Sequence, residues 1–264
     1  LLVQPRINDL DVGWFAFDTG ATAMLADRAA IEAAALEPIG WVRLQGDART
    51  TVFRADRFEL GPMEIDDLPV VGVSFESLWR GFAQETRGVV GYEVLAGSVV
   101  TLDLHRHRLT LRDSHVAAAA PDDRVWAPME IRRRLPCVRV RVEGGAEGLF
   151  MVDTGFAGGV WLFEEFVAEH QLLGDRPTRS GRIRNYGSST PVRTGILEWV
   201  EVAGRRIERV PAEFSTGPMT LLAGDEAIDG IIGLEVLEHF VVTFDYDGGR
   251  FALDPVETEH GAFR

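Results

Sequence analysis

Residues 88–113 read GVVGYEVLAGSVVTLDLHRHRLTLRD, and residues 230–255 read GIIGLEVLEHFVVTFDYDGGRFALDP. The two stretches align without a gap at an offset of 142, and eleven of the 26 positions are identical. Chance would give about one or two, so the match is read as an internal repeat. The identities include Gly88/Gly230, Gly91/Gly233, Glu93/Glu235, Asp103/Asp245 and Arg108/Arg250, which shared apolar composition does not explain. Upstream, Leu60, Ile65, Leu68 and Pro69 match Val202, Ile207, Val210 and Pro211 at the same offset. Farther upstream, FAFDTGAT at 15–22 matches FMVDTGFA at 150–157 at an offset of 135, which places seven additional residues in the second copy between Gly155 and about Val200. The chain therefore divides into a first unit at 1–113, a connection at 114–127 (SHVAAAAPDDRVWA, small residues with a Pro and paired Asp) and a second unit at 128–264.

Each unit reads as mostly strand. Val138 to Val142 alternates strictly between Val and Arg, Glu143-Gly144-Gly145 turns, and Leu149 to Val152 is a short buried run. The counterparts are Val3 to Ile7, a turn at Asn8 to Gly13, and Trp14 to Phe17. A short helical pattern follows each Asp-Thr-Gly, over about 23–36 and 161–173, and further strands are expected around 50–60, 68–75, 191–202 and 209–214. A hairpin closes each copy, the second turning at Asp247-Gly248-Gly249. The fold class is all-β, in two homologous lobes with one or two short helices each.

Composition excludes several functions. The 264 residues carry 27 basic side chains, all of them Arg, against 41 acidic ones, for a net charge of −14. Without lysine there is no phosphate loop ending in Gly-Lys-Ser/Thr and no Schiff-base amine. The acidic balance argues against a nucleic-acid backbone or an anionic membrane as partner. The single cysteine, Cys137, cannot form an internal disulfide, and no Cys/His set has zinc spacing. No cofactor is called for. No apolar run approaches the roughly 20 residues of a membrane helix.

Asp18-Thr19-Gly20 and Asp153-Thr154-Gly155 each follow a buried apolar strand. One such triplet reads as a capping Asp with a turn-forming Gly. Two, at equivalent places in a repeat, read differently. Duplicated units tend to pack about a pseudo-twofold axis, and a residue near that axis meets its own copy. Two carboxylates in contact cannot both ionise easily, so the pair retains a proton. The ionised member can then take a proton from water while the neutral member polarises a carbonyl.

These motifs resemble the retropepsin-like aspartic proteases in their fused, single-chain bacterial form. The resemblance covers nearly the whole chain. It rests on Ala16-Phe17-Asp18-Thr19-Gly20 and Met151-Val152-Asp153-Thr154-Gly155, and on Val89-Val90-Gly91 and Ile231-Ile232-Gly233 about 70–80 residues later. It implies retropepsin/pepsin-like β-barrel lobes related by a pseudo-twofold axis, and an endopeptidase with Asp18 and Asp153 as catalytic pair. Thr19 and Thr154 would cross-link the two loops, Gly20 and Gly155 would let them turn, and Gly91 and Gly233 would allow the close passage of a psi-shaped loop. The substrate would be an extended peptide between the lobes, paired like an added strand. Flaps would fall near 43–52 and 181–193, with Tyr186 and Gly187 at the tip of the second. The enzyme would act as a monomer without a metal. A catalytically silent peptide binder and a processing protease dedicated to one protein partner are the alternatives.

Ala21 and Phe156 follow the two motifs where pepsin-type enzymes have Ser or Thr. Neither side chain can donate a hydrogen bond to an outer carboxylate oxygen, so a mildly acidic pH optimum is expected. His105 and His107 read as a solvated turn, Arg132-Arg133-Arg134 as a solvated strand start, and Cys137 as a small core or edge residue. Glu93 and Glu235 are expected in the first turn of a short helix. The start at Leu-Leu-Val, and the habit of the family, lean the expectation towards an exported, periplasmic or membrane-anchored protein.

Overall fold

The computed structural model describes residues 1–43, 49–75, 85–118, 123–185, 188–218 and 228–256. Among these, the strands form two sheets, of nine and twelve strands. Alternation in the sequence sets their faces. In the strand Leu135–Val142, Val138, Val140 and Val142 are buried while Arg139 and Arg141 are exposed. In Trp14–Phe17, Phe15 and Phe17 enter the core and Trp14 and Ala16 face the other way.

Both copies build the same arrangement around their Gly-containing strand. Trp14–Phe17 runs parallel to Thr86–Val90, with Phe15 opposite Gly88 and Phe17 opposite Val90. Leu25–Ala26 pairs antiparallel with the same strand, Leu25 opposite Val89. In the second copy Glu147–Val152 runs parallel to Gly230–Ile232, and Val160–Leu162 pairs antiparallel with it, Trp161 opposite Ile231. The strand after each long excursion is thus inserted between the chain before and the chain after each Asp-Thr-Gly. Space is tight there: a Cβ on Gly91 would lie 2.3 Å from the Ala23 carbonyl oxygen, and one on Gly233 would lie 2.4 Å from that of Gly158.

This insertion explains why the helices are shorter than the periodicity predicts. Residues 25–26 and 160–162 are drawn into the sheet, which leaves helices only at Arg28–Ala33 and Glu164–Glu169. Asp27 caps the first by accepting from the Ala30 N–H at 2.8 Å. The expected strand Val3 to Ile7 divides into Leu2–Val3 and Arg6–Ile7 around Pro5, which has no N–H for a ladder. The expected connection opens with a helix at Ser114–Ala118, and its last residues belong to the strand Trp126–Arg132.

The seven additional residues are also located. The two helices correspond at an offset of 136, and the strands that follow, Glu37–Arg43 and Arg179–Asn185, start at an offset of 142. Six of the seven therefore form Leu173–Thr178, ahead of the hairpin and not within it. Arg176 ties this segment down. Its guanidinium lies 5.1 Å from the centroid of the Phe214 ring, donates to the Leu172 carbonyl and pairs with Glu143.

The two units share one sheet. Ser98–Asp103 of the first pairs antiparallel with Phe240–Asp245 of the second. Val99 faces Asp245, Thr101 faces Thr243 and Asp103 faces Val241, a register that maps onto itself under the offset of 142. The axis relating the lobes therefore passes between Thr101 and Thr243, whose hydroxyl oxygens are 3.2 Å apart. Phe15, Phe17 and Phe58 from one lobe and Phe150, Phe214, Phe244 and Phe251 from the other belong to one continuous core.

Candidate active site

The Asp-Thr-Gly loops leave the ends of Trp14–Phe17 and Glu147–Val152, the two strands anchored by the inserted Gly-containing strands. The Asp18 N–H donates to the Val90 carbonyl at 3.1 Å and the Asp153 N–H to that of Ile232 at 2.9 Å, so each aspartate is fixed at the last rung of its ladder. The loops then interlock. The buried Thr19 hydroxyl donates to the Val152 carbonyl (2.7 Å) and accepts from the Thr154 N–H (3.0 Å). The buried Thr154 hydroxyl donates to the Phe17 carbonyl (3.0 Å) and accepts from the Thr19 N–H (3.1 Å). These four bonds satisfy two buried backbone donors and two acceptors that a loop–loop contact would otherwise strand.

The consequence is that Asp18 meets Asp153. Their carboxyl groups are within hydrogen-bonding reach of each other. A Cβ on Gly20 would lie 2.5 Å from the Asp153 Cγ, and one on Gly155 would lie 2.6 Å from the Asp18 Cγ, so only glycine leaves room for the opposite carboxyl. Each carboxylate accepts from the N–H two residues on, Gly20 to Asp18 Oδ1 at 2.8 Å and Gly155 to Asp153 Oδ1 at 2.7 Å. Burial raises both carboxyls above the ordinary carboxylate range. Asp153 rises further because Asp18 adds its charge. The two carboxyls are therefore harder to ionise together than either would be alone.

A family model described as aspartyl protease matches residues 3–94 and 138–236, well over half of the chain and both copies. The chain belongs to the aspartyl protease family. By that membership it is an aspartic-type hydrolase that acts on peptide bonds. No curated protein matches the chain. Among solved structures it is similar to a retropepsin-like aspartic protease from Rickettsia conorii, with 17% identity, a TM-score of 0.36, and coverage of 48% of this chain and 87% of that one.

Other residues singled out from the protease's sequence fall as follows. Tyr186 and Gly187 lie outside the described residues, but the hairpin that carries them is present as Arg179–Asn185 and Ser188–Val202. Its first-lobe counterpart is Glu37–Arg43 with Arg49–Leu60. Glu93 and Glu235 stand in the first turns of the short helices Tyr92–Leu95 and Leu234–Leu237. Glu93 does more than face a helix dipole: it accepts from the Met24 N–H at 2.8 Å and pairs with Arg134, which tethers the first lobe to the second. Arg133 and Arg134 form a turn with positive φ rather than a strand start. Cys137 is buried and unoxidised in a second apolar cluster with Met151, Trp161 and Ile231. Among the described residues no cluster of His, Cys, Asp and Glu could hold a metal ion, and no helix is long and apolar enough to cross a membrane.

The second cluster contains Met151, two residues before Asp153. Strand alternation puts Met151 on the same face as Asp153, two residues on. Across the sheet from Met151 the register runs through Ile231, Trp161 and Glu213 to Thr194. The matching row beside Asp18 runs from Ala16 through Val89, Leu25 and Val71 to Val52. The first-lobe row is wholly apolar, and the second carries one ionisable group, Glu213. The sequence alone does not single out Glu213; its alignment with Val71 at the offset of 142 was the available signal. Its Oε2 is buried without a hydrogen-bond partner among the described residues. Burial, and after it the charge of Glu235, push its carboxyl up to about 7.

Proposed function

We propose that the protein is an endopeptidase in which Asp18 and Asp153 share one proton and activate water. The observation that carries this is the interlocked pair of loops, which holds two carboxyls in contact while Gly20 and Gly155 leave them no competing side chain. Water bound between the carboxyls gives a proton to the ionised member as its oxygen attacks the scissile carbonyl carbon. The neutral member gives its proton to the carbonyl oxygen, forming a tetrahedral diol. The proton taken from water then passes to the leaving nitrogen as the C–N bond breaks, and one hydroxyl of the diol returns its proton to the member that had given one, which leaves a carboxylic acid product and a singly protonated pair. Every proton is exchanged within the pair, so neither a metal nor a covalent intermediate enters.

The extended substrate crosses the floor formed by the two rows, with the two hairpins above it as flaps. Ile183, from the second hairpin, already packs against the cluster that contains Met151 and Trp161, which favours that hairpin as the flap of the second lobe. One chain holds both halves of the site, so the enzyme acts as a monomer.

The test is cleavage of a diverse peptide pool, read by mass spectrometry between about pH 3 and pH 7, with Asp153→Asn alongside. Cleavage strongest in mildly acidic solution and lost in the variant is expected. Cleavage unaffected by Asp153→Asn would overturn the assignment of the pair. No cleavage at any pH would turn the reading to a peptide binder or to a protease dedicated to one partner.

A further inference from the structure

We infer that Glu213 is a specificity-determining residue that receives a basic side chain of the peptide, Arg or Lys, on the second-lobe side of the cleft. The inference rests on Asp18 and Asp153 being the reacting pair. Register places the residue. Glu213 lies opposite Trp161, which lies opposite Ile231, which lies opposite Met151, and Met151 shares its face with Asp153. Residues opposed in register point to one side of a sheet, so Glu213 faces the side on which the reacting carboxyl stands. It is three strands from the strand of Asp153, about 14 Å at ordinary strand spacing. It therefore reads a residue beyond the one that flanks the scissile bond.

The surroundings say what it reads. Glu213 Oε1 stands beside Gly158, where a Cβ would lie 3.2 Å from it and 2.6 Å from the ring of Phe156. Trp161 cannot satisfy it, because its indole N–H is committed to Ser215 Oγ at 2.8 Å. The charge that acts on it is that of another acid, Glu235. Oε2 has no protein partner among the described residues. A half-buried carboxyl with one oxygen that no protein group satisfies favours a cation that brings its own hydrogen bonds and takes the place of the proton, as Arg and Lys do. The net charge of −14 draws such peptides in. The pseudo-twofold makes the contrast internal, since Val71 occupies the same place in the first lobe. The first-lobe side of the cleft therefore prefers apolar residues, and the two halves of a substrate are told apart by this position.

The experiment compares peptides that differ at one residue, Arg against citrulline and Lys against norleucine, moved through the positions two to four residues from the cleaved bond. Wild type, Glu213→Gln and Glu213→Val are compared near pH 7, where the Glu213 carboxyl ionises, by the ratio of kcat/KM within each pair of peptides. Binding of the same pairs is measured by fluorescence anisotropy on Asp153→Asn with and without Glu213→Gln. Gln keeps the shape of Glu, and Val is the residue of the first lobe, so two independent replacements report. At one position the wild type is expected to favour the basic peptide by about tenfold, and both variants should bring that ratio near one. Binding ratios should move in parallel. Ratios that are the same in wild type and variants, at every position and in both assays, would overturn the inference. If no peptide is cleaved but the binding ratio still falls with Glu213→Gln, the assignment of Glu213 stands and the hydrolytic reading falls. If peptides are cleaved with unchanged ratios, the reverse holds.

Discussion

Glu213 stands in the fold at a cost that pH can reveal. Its carboxyl is raised from an ordinary 4.5 to about 7 by burial and by Glu235. A raised acid is protonated in the folded state where the unfolded chain has lost the proton, so stability falls as pH rises from about 4.5 through 7. Glu213→Gln removes that loss. Thermal unfolding should show the variant more stable than wild type at pH 8, by roughly 1–2 kcal/mol after allowing for the exposed part of the side chain. The two proteins should converge below about pH 5. A variant equally or less stable at pH 8 would show that the carboxylate is paired when ionised. At this scale the sequence was legible where a residue recurred: Asp18 and Asp153 stood out because their triplet appears twice after a buried strand. Glu213 did not, because one acid in a polar-alternating strand looks solvated until the register shows what lies opposite.

The interlocked loops are the element on which the site depends. Thr19→Val deletes a hydroxyl that donates to the Val152 carbonyl and accepts from the Thr154 N–H, both in a buried setting. Leaving two such groups unpaired costs about 2–4 kcal/mol, since a stranded buried polar group costs roughly 1–3 kcal/mol. Denaturant unfolding should show this loss, and kcat should fall by about 100-fold because the two carboxyls lose their common frame. A stability change below about 0.5 kcal/mol would mean that other contacts hold the loops together. Strands were legible at this level wherever alternation or a short apolar run met a turn, as at Leu135–Val142 and Trp14–Phe17. Helix lengths were not. Residues 25–26 and 161–162 carry a helix-compatible pattern, yet they pair with the inserted strand, and that long-range partner outweighs local periodicity.

In the whole molecule, the repeat in the sequence becomes a pseudo-twofold axis through Thr101 and Thr243, and a sheet that belongs to both lobes. Duplication was legible from 26 aligned residues. The shared sheet was not, because alternation says which face of Ser98–Asp103 is buried but not which strand it pairs with. On the proposed mechanism the axis also makes the reacting group one object with a half in each lobe. Groups that act as a unit lose nearly everything when either is removed, and removing both loses little more. The deciding measurement is therefore kcat/KM on one cleaved peptide for wild type, Asp18→Asn, Asp153→Asn and the double variant. Each single variant is expected to fall by more than about 1,000-fold, and the double to fall no further. A single variant with near wild-type activity, or losses that multiply in the double variant, would contradict the mechanism.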